Sequence, residues 1–247
     1  GSVSAMTTWL LEAAGRHPAF AIGARLLNFN TNSRPTAGAD IVCELDESDG
    51  SFTNTSADCL IINNLEADHL NYYRDLEGLL SLFAGYLAGP EAPRRLFVLG
   101  DDANIAEVLR RSGARATTWG ATAGCDYRVS DVATIGLSTA FSLSGPRGDM
   151  GRFTMPIPGE YNAMNMAAAI SVADSDGVPL ETIRGAVSTY LGMENRFTCV
   201  PVGKTLIVKD YISHPTGIRS VIHTARKFAK GRVLTVFKPY RFTMIHY

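Results

Sequence analysis

The sequence predicts an α/β fold: a mostly parallel sheet flanked by helices, followed by the beginning of a second, smaller α/β unit. Three observations carry this. Two short apolar runs, residues 41–43 and 59–62, each break into a burst of polar residues, the mark of strands buried in a parallel sheet. Stretches of helical period separate such runs at 76–88 and 157–173. A strand–helix–strand pattern then restarts after Phe197.

Residues 4–14 form a helix, with Met6, Trp9, Leu10 and Ala13 on one face and Gly15 as its stop. A loop and a short strand lead to Ala24, and the Asn-, Gly- and Pro-rich stretch 26–39 reads as a loop. After the two apolar runs, Leu76, Leu79, Leu80, Phe83 and Leu87 place a helix on the sheet. Residues 95–99 are a strand, and the following Asp101 is the expected N-cap of a helix reaching Arg111. Short alternating segments at 116–119, 127–129, 139–143 and 151–155 suggest a small antiparallel appendage. A glycine turn then enters an Ala-rich helix over 157–173, where Asn162 and Asn165, three apart, share a face. Residues 179–190 form another amphipathic helix, and a domain boundary falls at 192–196. Beyond it the pattern gives a strand at 205–208, a helix at 215–230 and a strand at 232–237.

The chain has 247 residues and a net charge of −1, which gives no support for binding nucleic acid or an anionic membrane surface. No apolar run approaches the roughly 20 residues of a membrane helix. The cysteines at 43, 59, 125 and 199 have no metal or CxxC spacing and read as small buried hydrophobes of a reducing compartment.

In open α/β sheets ligands sit at the carboxyl ends of the strands, so the residues after each apolar run should face one site. Those residues are acid-rich with one imidazole: Glu44, Asp46, Glu47, Asp49, Glu66, Asp68 and His69. Such a set suits a hard divalent cation completed by phosphate oxygens. Asp49 and Asp68 serve equally well as helix caps, whereas Glu44 and His69, at strand ends, are assigned to the site. Taken alone, Asn162 is a helix cap and Arg196 a surface arginine.

The block ELDESDGSF at 44–52, followed by NNLEADHLNYY at 63–73, resembles the Mur ligase family, closest to the branch that joins L-alanine to UDP-N-acetylmuramate. Pro18, Phe20 and Gly23, the run GEYNAMNMAAA from Gly159, Asn195-Arg196-Phe197, and Asp210, Tyr211, His214, Pro215, Thr216, Pro239, Arg241 and Phe242 extend the likeness. It implies a P-loop-type central ATP-binding domain at 1–194 and the start of a Rossmann-like C-terminal ligase domain at 195–247. It further implies ATP and Mg²⁺ as cofactors, and UDP-N-acetylmuramate and an amino acid as substrates, in cytoplasmic peptidoglycan precursor synthesis through an acyl phosphate. By the same likeness Glu44 and His69 ligate Mg²⁺, Asn162 and Asn165 lie near adenine, and Arg196 acts on phosphate. Asp210 reaches phosphate or ribose, Ser48 and Asp49 border the sugar nucleotide, and Tyr211, His214 and Arg241 line the amino-acid side.

Departures qualify the likeness. Tyr161 stands where the family has His, and Lys209, Ile212, Ser213, Gly217, Tyr240 and Met244 also differ. These bear on the acceptor more than on ATP, so a ligase with another amino-acid or peptide acceptor, and a non-catalytic relative that only binds, stay open. No G-x-x-x-x-G-K-[ST] phosphate loop occurs in the 247 residues. The expectation is that this loop belongs before the first helix and that this stretch alone is inactive.

Overall fold

The computed structural model describes residues 1–239. Helix α1 (Ser2–Ala13) leads into β1 (Ala19–Leu26), which turns back through β2 (Thr31–Arg34) and pairs in parallel with β3 (Ile41–Cys43). The stretch 26–39 is therefore not simply a loop: Asn30 takes a left-handed φ of 56° and closes a hairpin inside it. The run 41–43 also differs from expectation. It is a strand, but it sits at the edge of this three-stranded sheet, with Ile41 74% exposed and Cys43 exposed. Three residues are too few to distinguish a buried strand from an exposed edge.

The second apolar run, β4 (Cys59–Ile62), belongs to a different sheet. It is followed by the single turn α2 (Leu70–Tyr73), α3 (Leu76–Ala88), β5 (Arg95–Leu99), α4 (Ala103–Ser112), β6 (Thr117–Gly120), β7 (Tyr127–Ile135), β8 (Ser138–Gly145) and β9 (Gly148–Met155). These strands make one six-stranded sheet in sequence order; the first three pairings are parallel and the last two antiparallel. The short segments after 116 do extend the sheet, but only β7, β8 and β9 pair antiparallel. Their first strand continues the parallel part, and alternation alone does not encode strand direction.

Both faces of this sheet are covered, as parallel pairing requires. Strand β5 shows how: Leu96 and Val98 join the core with α3 and α4, and Phe97 between them joins the core on the other face. That other core is built on α5 (Glu160–Ser175), whose Ala163, Ala167, Ala168, Ala169, Ile170 and Ala173 have no exposed surface. Small side chains let α1 and the sheet approach α5 closely from several sides, so this helix has no polar face in its middle turns. Helix α6 (Leu180–Ser188) closes the layer.

The last described part is a two-stranded antiparallel ribbon, β10 (Thr198–Val202) and β11 (Thr205–Lys209), followed by α7 (Pro215–Phe228). The expected strand at 232–237 does not form among the described residues. No neighbouring strand lies beside it, and Leu234 and Val236 are largely exposed.

The expected cap of α4 is one residue off. Asp102, not Asp101, accepts from Asn104 N (2.8 Å) and Ile105 N (3.0 Å), and its other oxygen accepts from Leu65 N at 3.0 Å. Asp101 instead accepts from the backbone N–H groups of Ala121 and Thr122. Asp102 therefore ties the end of β4 to α4. Asp102→Ala is expected to cost about 1–2 kcal/mol through the lost cap and the orphaned N–H. Urea unfolding checks this; an unchanged midpoint contradicts the role.

Candidate functional site

The residues after β3 continue the ladder: Glu44 N donates to Ala21 O at 3.0 Å. The Glu44 side chain then turns back over β1. Its Oε2 accepts from Gly23 N at 2.6 Å. A Cβ at Gly23 would sit 3.0 Å from that carboxylate, so a glycine here permits the close approach. Burial raises the Glu44 pKa, and the Gly23 N–H and the charge of Arg196 oppose that rise.

The first acidic burst holds itself in place. Asp46 accepts from Ser48 N (2.8 Å) and Asp49 from Ser51 N (2.9 Å), so Asp49 orders the approach to the short 3₁₀ turn Ser51–Asn54. Ser48 and Asp49 follow Glu47 directly in the chain. Glu47 joins the two bursts: its Oε1 is 3.4 Å from His69 Nε2, and its carbonyl accepts from the Tyr73 hydroxyl. His69 has a left-handed φ of 54° and also lies 3.9 Å from Asp68. The structure therefore brings both bursts to one rim, through Glu47 and His69. It shows no direct contact between Glu44 and His69. Among the described residues no three His, Cys, Asp or Glu side chains cluster to hold a metal ion. One or two protein ligands, with water and phosphate oxygens for the rest, is the arrangement Mg²⁺ favours, and Glu44 fits it.

The two asparagines of α5 do not share one exposed face. Asn162 is buried, and its Nδ2 donates to Pro158 O at 2.7 Å. It is not the N-cap, which is Gly159. Asn165, half-buried, faces the end of β4, where its Oδ1 accepts from Asn63 Nδ2 at 3.2 Å.

Arg196, Asp210 and Tyr211 meet. The guanidinium donates to the Tyr211 carbonyl and lies 3.9 Å from Asp210 Oδ1. Asp210 Oδ2 accepts from Phe197 N at 3.0 Å, while buried Oδ1 has no hydrogen-bond partner among the described residues. Burial raises the Asp210 pKa, against the pull of the Phe197 N–H and Arg196. Burial and the Asp210 charge likewise push up the phenol of Tyr161. His214 Nδ1 lies 3.2 Å from Glu66 Oε2, which also accepts from Thr216 Oγ1 at 2.6 Å. Arg241 lies outside the described residues. Sequence reasoning placed Glu47 and Glu66 in the acidic bursts without giving them roles, and placed the segment from Asn63 to His69 at the site without singling out Asn63. The signal for Asn63 was its place as the first residue after a strand.

A family model described as the Mur ligase middle domain matches residues 27–173, more than half the chain. The chain belongs to the Mur ligase family. Its relatives within that family include the UDP-N-acetylmuramate--L-alanine ligase of Geobacter sp. (strain M21), 33% identical over 98% of this chain and 53% of the relative. That of Thermobifida fusca (strain YX) is 35% identical over 98% of this chain and 54% of the relative. The chain thus spans about half the length of these relatives. Two solved structures share the fold. The UDP-N-acetylmuramate-alanine ligase MurC from Thermotoga maritima has a TM-score of 0.78 at 22% identity, covering 92% of this chain and 51% of that one. The apo form of L. casei FPGS has a TM-score of 0.75 at 15% identity, covering 94% and 70%.

The raised pKa of Asp210 gives a pH prediction with a definite sign. Its folded pKa lies above its unfolded 3.8, so the ionised carboxylate is a penalty on the folded Mur ligase chain. That penalty is absent below the unfolded value and complete above the folded one. Asp210→Asn should therefore raise Tm at neutral pH, and the gain should shrink as pH falls through the carboxylate range. A gain that grows in acid contradicts the assignment.

Proposed function

We propose that this chain forms the nucleotide-handling part of an ATP-dependent ligase joining an amino acid to the carboxylate of UDP-N-acetylmuramate, in peptidoglycan precursor synthesis. The observation that carries the reading is the rim itself. The Glu44 carboxylate, at the end of β3, accepts from the Gly23 N–H, and Glu47 and His69 meet at 3.4 Å where the second acidic burst joins the same rim. The names of the relatives supply the substrates, with L-alanine as the first acceptor to test. In this reading residues 1–194 are the central domain and 195–247 open the C-terminal one.

The chemistry requires two anions, a carboxylate and a nucleotide phosphate, to approach each other. Bound Mg²⁺ with ATP would supply charge neutralisation and a transferable phosphoryl group, activating the carboxylate as an acyl phosphate. This chain's residues do the rest. Glu44, with His69 on the same rim, would hold the ion. Arg196, released from the Tyr211 carbonyl, would offer its fork to phosphate. Asn165 would face the base, and Asp210 the ribose or phosphate. Ser48 and Asp49 would border the sugar nucleotide, and Tyr211, His214 and Arg241 the amino acid. The phosphate cradle is not among the 247 residues, so activity is a property of a chain that also carries it.

A second reading, an acceptor other than L-alanine, is favoured by one specific packing. A Cβ at Gly217 would lie 2.0 Å from Ile212 Cδ1. The two departures at 212 and 217 are thus matched, the larger side chain filling the space that glycine vacates.

The test is phosphate release by the full-length protein with ATP, Mg²⁺, UDP-N-acetylmuramate and a panel of amino acids. Release dependent on L-alanine supports the first reading, and release with another amino acid the second. No release with any, while the sugar nucleotide binds, contradicts both and leaves a binding protein. Glu44→Ala should lower the Mg²⁺-dependent rate by at least about 100-fold if its carboxylate holds the ion, the scale of removing one electrostatic stabiliser. A rate within a few-fold of the parent overturns that role.

A further inference from the structure

A continuous run of polar side chains crosses the rim. Asn165 Oδ1 accepts from Asn63 Nδ2 (3.2 Å), which also lies 3.5 Å from Asn64 Oδ1. Asn64 Nδ2 donates to Glu66 Oε1 at 3.3 Å, and Glu66 Oε2 accepts from Thr216 at 2.6 Å, beside His214. Direction in this run comes from one end. An ionised carboxylate only accepts, so Glu66 requires the amino side of the Asn64 amide. Asn64 must then offer its oxygen to Asn63, which offers its own amino group, and the amino group of Asn63 requires the oxygen of Asn165. A carboxylate three residues along the chain thereby fixes which way the Asn165 amide points.

That orientation has a chemical consequence. With one lone pair of Oδ1 taken by Asn63, Asn165 keeps a second lone pair on Oδ1 and both N–H donors on Nδ2. It donates no hydrogen bond among the described residues. A fixed acceptor beside a fixed donor matches the edge of adenine, whose exocyclic amine donates and whose adjacent ring nitrogen accepts. It opposes hypoxanthine, which places a carbonyl oxygen against Oδ1. A freely rotating amide would distinguish the two poorly, because turning it over exchanges donor and acceptor.

We propose that Asn63 is a positioning residue that locks the Asn165 amide and so sets selectivity for a 6-amino purine over a 6-oxo purine. This deepens the nucleotide reading above and rests on it. Asn63 need not touch the base; it acts through Asn165.

The test compares ADP with IDP by calorimetry on the full-length protein, in the parent, Asn63→Thr and Asn63→Val. Threonine and valine have nearly the same shape, but only the hydroxyl can donate to Asn165 Oδ1. The parent and N63T should both prefer ADP. N63V should lose about 10-fold of that preference, equivalent to about 1.4 kcal/mol. A merely structural role for Asn63 would weaken both nucleotides together and leave their ratio alone. An unchanged ratio in N63V, or an equal loss in N63T, overturns the inference while leaving the nucleotide site in place. Failure of the parent to bind either nucleotide, with the protein folded, overturns the nucleotide reading and this inference with it.

Discussion

Everything at the rim depends on the burial of α5. A helix whose middle turns are alanines can be enclosed by α1 and by the strands of the large sheet, and this one is. The consequence is positional. Ala163 and Ala167 are locked into the core on either side of Asn165, so the amide has little freedom to drift from the end of β4. Bulky side chains at those positions would push the sheet and helix apart and carry the rim with them. Chemistry at the strand ends thus inherits its precision from apolar packing some residues away.

Electrostatics then divides the rim into two parts. On one side Glu44, the Gly23 N–H and Arg196 form a patch where a negative charge is stabilised by several donors. On the other, Glu66 binds the start of α7, where a carboxylate at a helix N-terminus is favoured by the exposed N–H groups and the helix dipole. Between them the amides of Asn63, Asn64 and Asn165 carry no charge but have direction. Asp210 is the exception, a buried carboxyl with one oxygen lacking a hydrogen-bond partner among the described residues, and its raised pKa records the cost. Such a group beside an arginine marks a place where ligand contacts can replace internal ones.

Much of this was legible in the sequence because local chemistry decides it. The 76–88 and 95–99 elements have the bounds that their apolar spacing gives, and the two acidic bursts do meet. What was not legible depends on partners remote in the chain. Ile41 reads as buried because it is apolar, yet it lies on a strand that, among the described residues, pairs with β1 alone. The 232–237 run has strand composition but no strand beside it among the described residues. Asn162 and Asn165 are three apart on a helix, which predicts a shared face only if one side of the helix is open. Here the carbonyl of Pro158 takes one amide and Asn63 the other. Asn63 could be placed at a strand end from sequence, but its pairing with Asn165 became visible only once β4 and α5 were seen side by side.

The central claim is that one rim, formed by the ends of β3 and β4 and the start of α5, holds a magnesium nucleotide. Hydrogen–deuterium exchange on the full-length protein, with and without Mg²⁺ and a non-hydrolysable ATP analogue, tests it directly. The account predicts added protection at residues 44–49, 63–69 and 160–166 and around Arg196, with the β8–β9 turn unchanged. Nucleotide binding that leaves those segments unprotected, or that protects the opposite end of the sheet instead, would contradict it.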